Sequence, residues 1–209
     1  MWAGQKSSHG GVGIFIKEPL DQQIIEVKRV SSSLMWVKIV IETEIVTILS
    51  VYAPQAGESE EVKESFWTLL EDTIQGIPNN DKIIVGGDLN GHVGEKTEGF
   101  DKVHGNFGYG ERNEEGLRIL EWAESHNLCI LNTFFKKDSE HLITYRSGPI
   151  ASQIDYLIIR QVDRPSCANI KIIPGEACVT QHRLMIANVV IKKMKRHKRV
   201  FPAKIDLET

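Results

Sequence analysis

Two short stretches put carboxylates where apolar strands are running. In Gly86-Gly87-Asp88-Leu89-Asn90-Gly91 an apolar segment runs straight into Asp88, and Asn90 follows two residues on. Strand alternation places the two side chains on one face. The flanking glycines allow close approach of backbone and of an anion such as phosphate. A carboxylate there can activate water or hold a metal ion, and an amide N–H can stabilise a phosphate oxygen. An Asx turn closing a strand accounts for the same residues without chemistry. In the second stretch, Ser152 to Ile159, Asp155 interrupts a hydrophobic run, where a charge is costly without a partner. His182 precedes another apolar run, and an Asp–His pair fixes an imidazole tautomer and keeps the ring cationic beside a phosphate. Taken singly, Asp155 and His182 are equally well read as structural. An EF-hand is excluded because the fifth position counted from Asp88 is His92 and no glutamate closes the loop. The glycines are not a P-loop, for no Gly-Lys-Ser/Thr follows them.

The elements around these residues follow from periodicity. Val12 to Ile16, Ile24 to Val30, Met35 to Ile41 and Ile45 to Val51 are rich in β-branched residues and separated by turn residues, which predicts a meander of antiparallel strands. A helix is predicted from about Glu58 to Gln75, with Val62, Phe66, Leu69, Leu70 and Ile74 on its buried face and Gly76-Ile77-Pro78 ending it. The wholly apolar run from Lys82 to Val85 should be central in a sheet. After a glycine-rich loop from Gly86 to Gly110, Asn113 should cap a helix reaching about His126, with Leu117, Leu120 and Ala123 buried. Strands are then expected at Leu128 to Leu131, His141 to Arg146, Gln153 to Ile159, Ala168 to Ile173 and Met185 to Ile191. Two sheets face to face with helices outside fit this order best.

At 209 residues, with 41% hydrophobic and 25% charged residues, the chain can bury the core of one α/β domain without staples. No apolar run approaches the roughly 20 residues that cross a bilayer, and Met1 to Lys6 hold no apolar segment of a secretory signal. Cys129, Cys167 and Cys178 form no CxxC pair, and no Asn-x-Ser/Thr sequon occurs, so an intracellular location, nuclear or cytoplasmic, is expected. Net charge is -3, yet residues 192–199 carry six Lys and Arg in eight positions. Such a run binds nucleic acid, directs nuclear import, or is a solvated tail.

Tyr-Ala-Pro at 52–54, Gly-Asp-Leu-Asn at 87–90, Ile-Asp-Tyr at 154–156 and a histidine ahead of the last strand together resemble the endonuclease/exonuclease/phosphatase superfamily, which includes DNase I, abasic-site endonucleases and the endonucleases of LINE retrotransposons. More specifically, Gly-Val-Gly-Ile-Phe-Ile (11–16), Val-Tyr-Ala-Pro-Gln (51–55), Gly-Asp-Leu-Asn-Gly-His-Val-Gly (87–94), Gly-Glu-Arg-Asn-Glu-Glu-Gly (110–116), Thr-Tyr-Arg-Ser-Gly (144–148) and Gln-His-Arg-Leu (181–184) are similar to RTE-type non-LTR retrotransposon endonucleases and to craniofacial development protein 2-like proteins. The resemblance runs to about Lys193. It implies an α/β (α+β) four-layer sandwich of the DNase I type, two mainly antiparallel sheets with helices outside, spanning 1–191 ahead of a basic tail at 192–209. It also implies roles. Asp88 would orient or deprotonate the attacking water, and Asn90 would hold a phosphate oxygen. Tyr52 would bond the scissile phosphate, and Asp155 would polarise His182, which would stabilise the transition state. Arg112, Asn113 and Tyr145 fall where the family has surface loops facing DNA. Mg²⁺ (or Mn²⁺) would neutralise charge on the leaving oxygen.

Two departures bear on activity. The family opens with a strand carrying a catalytic Asn and another ending in a metal-binding Glu; this chain starts near the Trp after that Glu, at Met1-Trp2, so both are expected to be lacking along with the first strand. Loss of that strand should bare a pairing edge. Gln181 stands where most members have Asp, and a neutral amide is a poorer Mg²⁺ ligand, so weakened metal binding is expected. The expectation is a metal-dependent DNA endonuclease of retrotransposon origin with impaired activity, its parent polyprotein once carrying a reverse transcriptase. The alternatives are an inactive nucleic-acid-binding remnant, or a fragment that does not fold stably. A phosphatase for small phosphate esters shares the Gly-Asp-Leu-Asn text, but the stretches at 110–116 and 181–184 speak against it.

Overall fold

A computed structural model describes residues 2–3, 11–179 and 181–191; the basic run at 192–199 lies outside them. The strands are β1 (Trp2–Ala3), β2 (Val12–Gly13), β3 (Ile24–Arg29), β4 (Leu34–Ile41), β5 (Glu44–Tyr52), β6 (Lys82–Asp88), β7 (Leu128–Ile130), β8 (Tyr145–Ser147), β9 (Ile150–Ser152), β10 (Asp155–Arg160), β11 (Cys167–Val179) and β12 (His182–Val189). Among the described residues two α-helices, α1 (Glu60–Gln75) and α2 (Glu114–Ser125), accompany these strands, with short 3-10 turns between elements.

Six strands form one sheet in the order β3-β4-β5-β6-β10-β7, and four form a second, β11-β12-β8-β9. Of the four strands expected to form the meander, β3-β4-β5 do so, with a positive φ of 56° at Glu42 between β4 and β5, whereas β2 pairs with β1. β6 is central as expected, joined parallel to β5 through α1 and antiparallel to β10. Alternation along each central strand sorts the core into two layers. Leu49 and Val51, Ile83 and Val85, and Tyr156 and Ile158 pack with Phe66, Leu70 and Ile74 of α1 and Ile119, Leu120 and Ala123 of α2. Their neighbours Ile84, Leu157 and Ile159 turn the other way, against Cys167, Ile170, Met185 and Ala187 of the second sheet. Among the described residues both helices therefore cover the outer face of the six-stranded sheet, and the four-stranded sheet covers its inner face.

Three local expectations change. Leu117 and Val62 are 37% and 46% exposed, while Ile119, Trp122 and Trp67 are buried instead. The cause in α2 is Gly116: a Cβ there would lie 1.7 Å from the His92 carbonyl oxygen, so the helix touches its neighbouring loop along Gly116 and turns Leu117 outward. The strand expected from His141 to Arg146 is a 3-10 turn at Ser139–His141 followed by the short β8. The Ser139 carbonyl accepts from both Leu142 N and Ile143 N, which holds the chain in a turn there. Likewise the strand expected over Val12 to Ile16 is shorter, with β2 at Val12–Gly13.

Candidate active site

Register brings the chemistry together. Parallel pairing sets Tyr52 at the end of β5 beside Asp88 at the end of β6, and antiparallel pairing sets Asp88 opposite Asp155 at the start of β10. Gly87 makes the approach possible, since its φ is 157° and a Cβ would fall 1.9 Å from the Val51 carbonyl oxygen. His182 opens β12 in the other sheet and reaches across the gap. Its Nδ1 lies 3.0 and 3.2 Å from the two Asp155 carboxylate oxygens, and its Nε2 lies 3.9 Å from Asp88 Oδ2. Ligand atoms of Asp88, Asp155 and His182 all lie within 4.8 Å of one another. These residues and Tyr52 line a cleft of about 480 Å³.

Burial and the facing Asp155 carboxylate push the Asp88 carboxyl up to about 6, against the pull of the Asn90 backbone N–H and His182. The bond from Asp155 raises the His182 imidazole above its ordinary value, although burial opposes this. The pair thus favours a cationic ring with Nδ1 donating to Asp155, and the ring edge contacts Tyr145 with centroids 5.0 Å apart.

Residues that sequence reasoning passed over hold this arrangement. The buried Thr144 hydroxyl accepts from the backbone N–H of Ile154 (3.0 Å) and Asp155 (3.1 Å), fixing the start of β10. Asn132 bonds Asp155 O and Leu157 N on the same strand. Tyr156, fully buried, sets its hydroxyl 2.8 Å from Gly91 O and 3.3 Å from Val93 N, pinning the loop after Asp88. Tyr156 does occur in the Ile-Asp-Tyr motif and Thr144 in the stretch at 144–148, and a polar-tipped residue in an apolar strand was the available signal for Tyr156; Asn132 gave none.

The other predicted residues are placed as follows. Asn90 does not continue the strand: β6 ends at Asp88, and Asn90 has a φ of 49° with its N–H bonded to Asp88 Oδ1, the Asx turn considered above. Its side-chain amide donates one N–H to Ala53 O at 2.8 Å, tying it to the Tyr52 segment. Arg112 and Asn113, expected to face DNA, have their polar atoms turned inward. Arg112 donates to the carbonyls of Val93, Lys96 and Thr97, pairs with Glu98 and lies over the Phe100 ring. Asn113 Oδ1 caps α2 by accepting from Gly116 N and also takes His92 N. Of that group Tyr145 contacts the site, its ring lying against His182. Gln181 is exposed and donates to Ser147 Oγ at 2.8 Å.

The donor set suits a divalent cation. Asp88 and Asp155 crowd two carboxylates at one end of the sheet, and Asp88 is shifted upward first by burial and then by the facing Asp155 carboxylate, a repulsion that a cation relieves. Mg²⁺ is commonly held through one or two carboxylates with waters completing its shell.

Craniofacial development protein 2 of Bos taurus is 31% identical over 194 residues, covering 91% of this chain, and that of Tragulus javanicus is 29% identical over the same length. The chain spans about a third of the length of these curated relatives. Among solved structures, the endonuclease domain of TRAS1, a telomere-specific non-LTR retrotransposon, superposes with a TM-score of 0.60 at 16% identity, covering 81% of this chain and 68% of that one. The 3′ phosphatase NExo from Neisseria, bound to a product DNA hairpin, gives 0.58 at 11% identity, covering 77% and 66%. No family model matches the chain. No helix among the described residues is long and apolar enough to cross a membrane.

Proposed function

We propose that this chain, which has the endonuclease/exonuclease/phosphatase fold and is similar to craniofacial development protein 2, is a divalent-metal-dependent endonuclease that hydrolyses DNA phosphodiesters. The observation that carries the reading is the convergence of Asp88, Asp155 and His182 within 4.8 Å at the mouth of a cleft. Asp88, whose carboxylate lines the cleft, takes the proton of the attacking water. His182, held cationic by Asp155, faces the phosphate and stabilises the negative charge that gathers there. Tyr52 bonds a phosphate oxygen from the β5 side. Asn90 adds the amide N–H that Ala53 leaves free. Mg²⁺ or Mn²⁺ would be held by the Asp88 and Asp155 carboxylates and would neutralise charge on the leaving oxygen. Arg112 and Asn113, whose polar atoms serve their own loop, are not assigned to DNA. Tyr145 is, from its place beside His182. The likeness to the TRAS1 endonuclease supports descent from a non-LTR retrotransposon.

A second reading, nucleic-acid binding without cleavage, draws on Gln181, which gives its amide to Ser147 and offers no carboxylate to a metal. Nicking of supercoiled plasmid separates the two. Nicking by the wild type that requires Mg²⁺ or Mn²⁺, stops with EDTA and is lost in Asp88→Ala establishes the endonuclease. A cooperatively folding wild type that shifts DNA in a salt-dependent manner but never nicks it establishes the second reading.

A further inference from the structure

Tyr52 is a wall shared by two cavities. On one side is the cleft of Asp88, Asp155 and His182. On the other is a separate pocket of about 370 Å³, within the range of about 300–1,000 Å³ usual for small-molecule sites. Its apolar lining is Tyr52, Pro54 and Val62, and its polar lining includes Ser32, Gln55 and Glu58. Val62 is the residue of the α1 stripe that helical spacing assigns to the core and the structure leaves 46% exposed. The pocket floor is tied to the site: Ala53 N donates to Asp88 O, Asn90 Nδ2 to Ala53 O, and Tyr52 N to Ser33 O.

The chemistry of this lining selects its occupant. Among the described residues no lysine, arginine or histidine lines the pocket, and Glu60 and Glu61 follow Glu58 in the first turn of α1. A phosphate placed here would meet carboxylates without a cation. A flat neutral group with hydrogen-bonding edges meets what it needs: an apolar ring and proline to lie against, a carboxamide that both donates and accepts, a hydroxyl, and a carboxylate that accepts from amino groups.

Resting on the endonuclease reading, we propose that this pocket holds the base of a nucleotide next to the cleaved phosphodiester, and that Gln55 and Glu58 determine which base is preferred. Glu58 accepts from an exocyclic amino group, so cytosine, adenine or guanine is favoured at that position over thymine. Gln55, whose Nε2 is 3.5 Å from the Tyr52 hydroxyl, links base choice to the residue that contacts the phosphate.

The test uses the full chain and two readouts. First, short duplexes carrying 5-iodocytosine at one position at a time are photocrosslinked in Ca²⁺ buffer. The expected result is one position that crosslinks into residues 52–62, and no such position in any duplex overturns the proposal whether or not the protein cleaves. Secondly, cleavage sites are sequenced from a randomised duplex pool with wild type, Gln55→Ala and Glu58→Ala. The expected result is a preference against thymine at one position of about fivefold or more, reduced at least by half in each variant. Wild-type cleavage with unaltered base preferences in both variants overturns the subsite and leaves the endonuclease reading standing. Absence of wild-type cleavage in Mg²⁺ and Mn²⁺ overturns the endonuclease reading itself, and with it the assignment of the pocket to a scissile nucleotide.

Discussion

The two ends of β6 and β10 handle charge in opposite ways. At one end Lys82 opens β6 and Arg160 closes β10. There Lys82 pairs with Asp163, Lys38 pairs with Asp81 at 3.3 Å, and Arg160 donates to the Asp81 and Pro78 carbonyls. At the other end Asp88 closes β6 and Asp155 opens β10, directly opposite each other. Both ends are largely buried: Asp163 and Asp88 side chains are 10% and 11% exposed. At the first end each buried carboxylate has a lysine of its own. At the second, two carboxylates share one histidine, and Asp88 rises to about 6. Matched charges hold the sheet together, whereas the unmatched pair is a place for a cation and a substrate.

The sharpest way to break this comparison is to remove one carboxylate from each end. Asp88→Asn should lower plasmid nicking by about 100-fold or more, since a general base contributes about 10²–10⁴-fold, while the protein stays folded and melts no lower than wild type. Asp163→Ala should do the reverse. It leaves Lys82 buried without a partner, and urea unfolding should show a loss of about 3 kcal/mol, with the rate per folded molecule unchanged. If Asp163→Ala abolished nicking while the fold persisted, or Asp88→Asn unfolded the protein, the division between the two ends would be wrong.

The same contrast has a pH signature. Asp88 binds its proton more tightly in the folded chain, at about 6, than its ordinary value of 3.8. Its contribution to stability is therefore fully present below about 3.8 and is lost as pH rises through about 6. His182, also raised, acts in the same direction. Urea titrations in EDTA at pH 4.5 and pH 7.5 should show wild type losing stability relative to Asp88→Asn as pH rises. Equal pH slopes for the two proteins would mean that the facing carboxylates do not repel as placed.

How much of this was legible depends on the kind of signal. Asp88 and Asp155 stood out because each breaks an apolar strand, and strands of one period are easily found. That they face each other is a matter of register between strands 67 residues apart in sequence, from Asp88 to Asp155, and periodicity does not reveal register. In α2 Leu120 and Ala123 are buried as expected, but Leu117 turns outward because the contact beside it is made by Gly116, a residue with no side chain to count. Arg112 was expected to face DNA because the family resemblance puts it in a surface loop; the three carbonyls that take its donors come from residues 15 to 19 positions away, which the tertiary fold brings to it. Thr144 and Asn132 act through backbone groups of β10, an assignment that needs the tertiary fold.

The smallest expected effect sharpens the comparison from within β10. Tyr156 lies beside Asp155, opposite Gly87, and is 1% exposed. Its hydroxyl bonds the loop that carries Leu89 to Val93 past the cleft, and burial drives its ionisation far above the ordinary range, so it serves as a neutral pin. Tyr156→Phe keeps the ring in the core and removes only the hydroxyl. The Gly91 and Gln153 carbonyls and the Val93 N–H then lose a partner, and a loss of about 1–2 kcal/mol is expected by urea unfolding. Because Asp88 is also held by its own strand pairing and by the Asn90 N–H, nicking at saturating DNA should fall no more than a few-fold, with weaker apparent DNA affinity as the loop loosens. A fall as large as that of Asp88→Asn would mean that the loop, rather than the strand register, sets the position of the carboxylate.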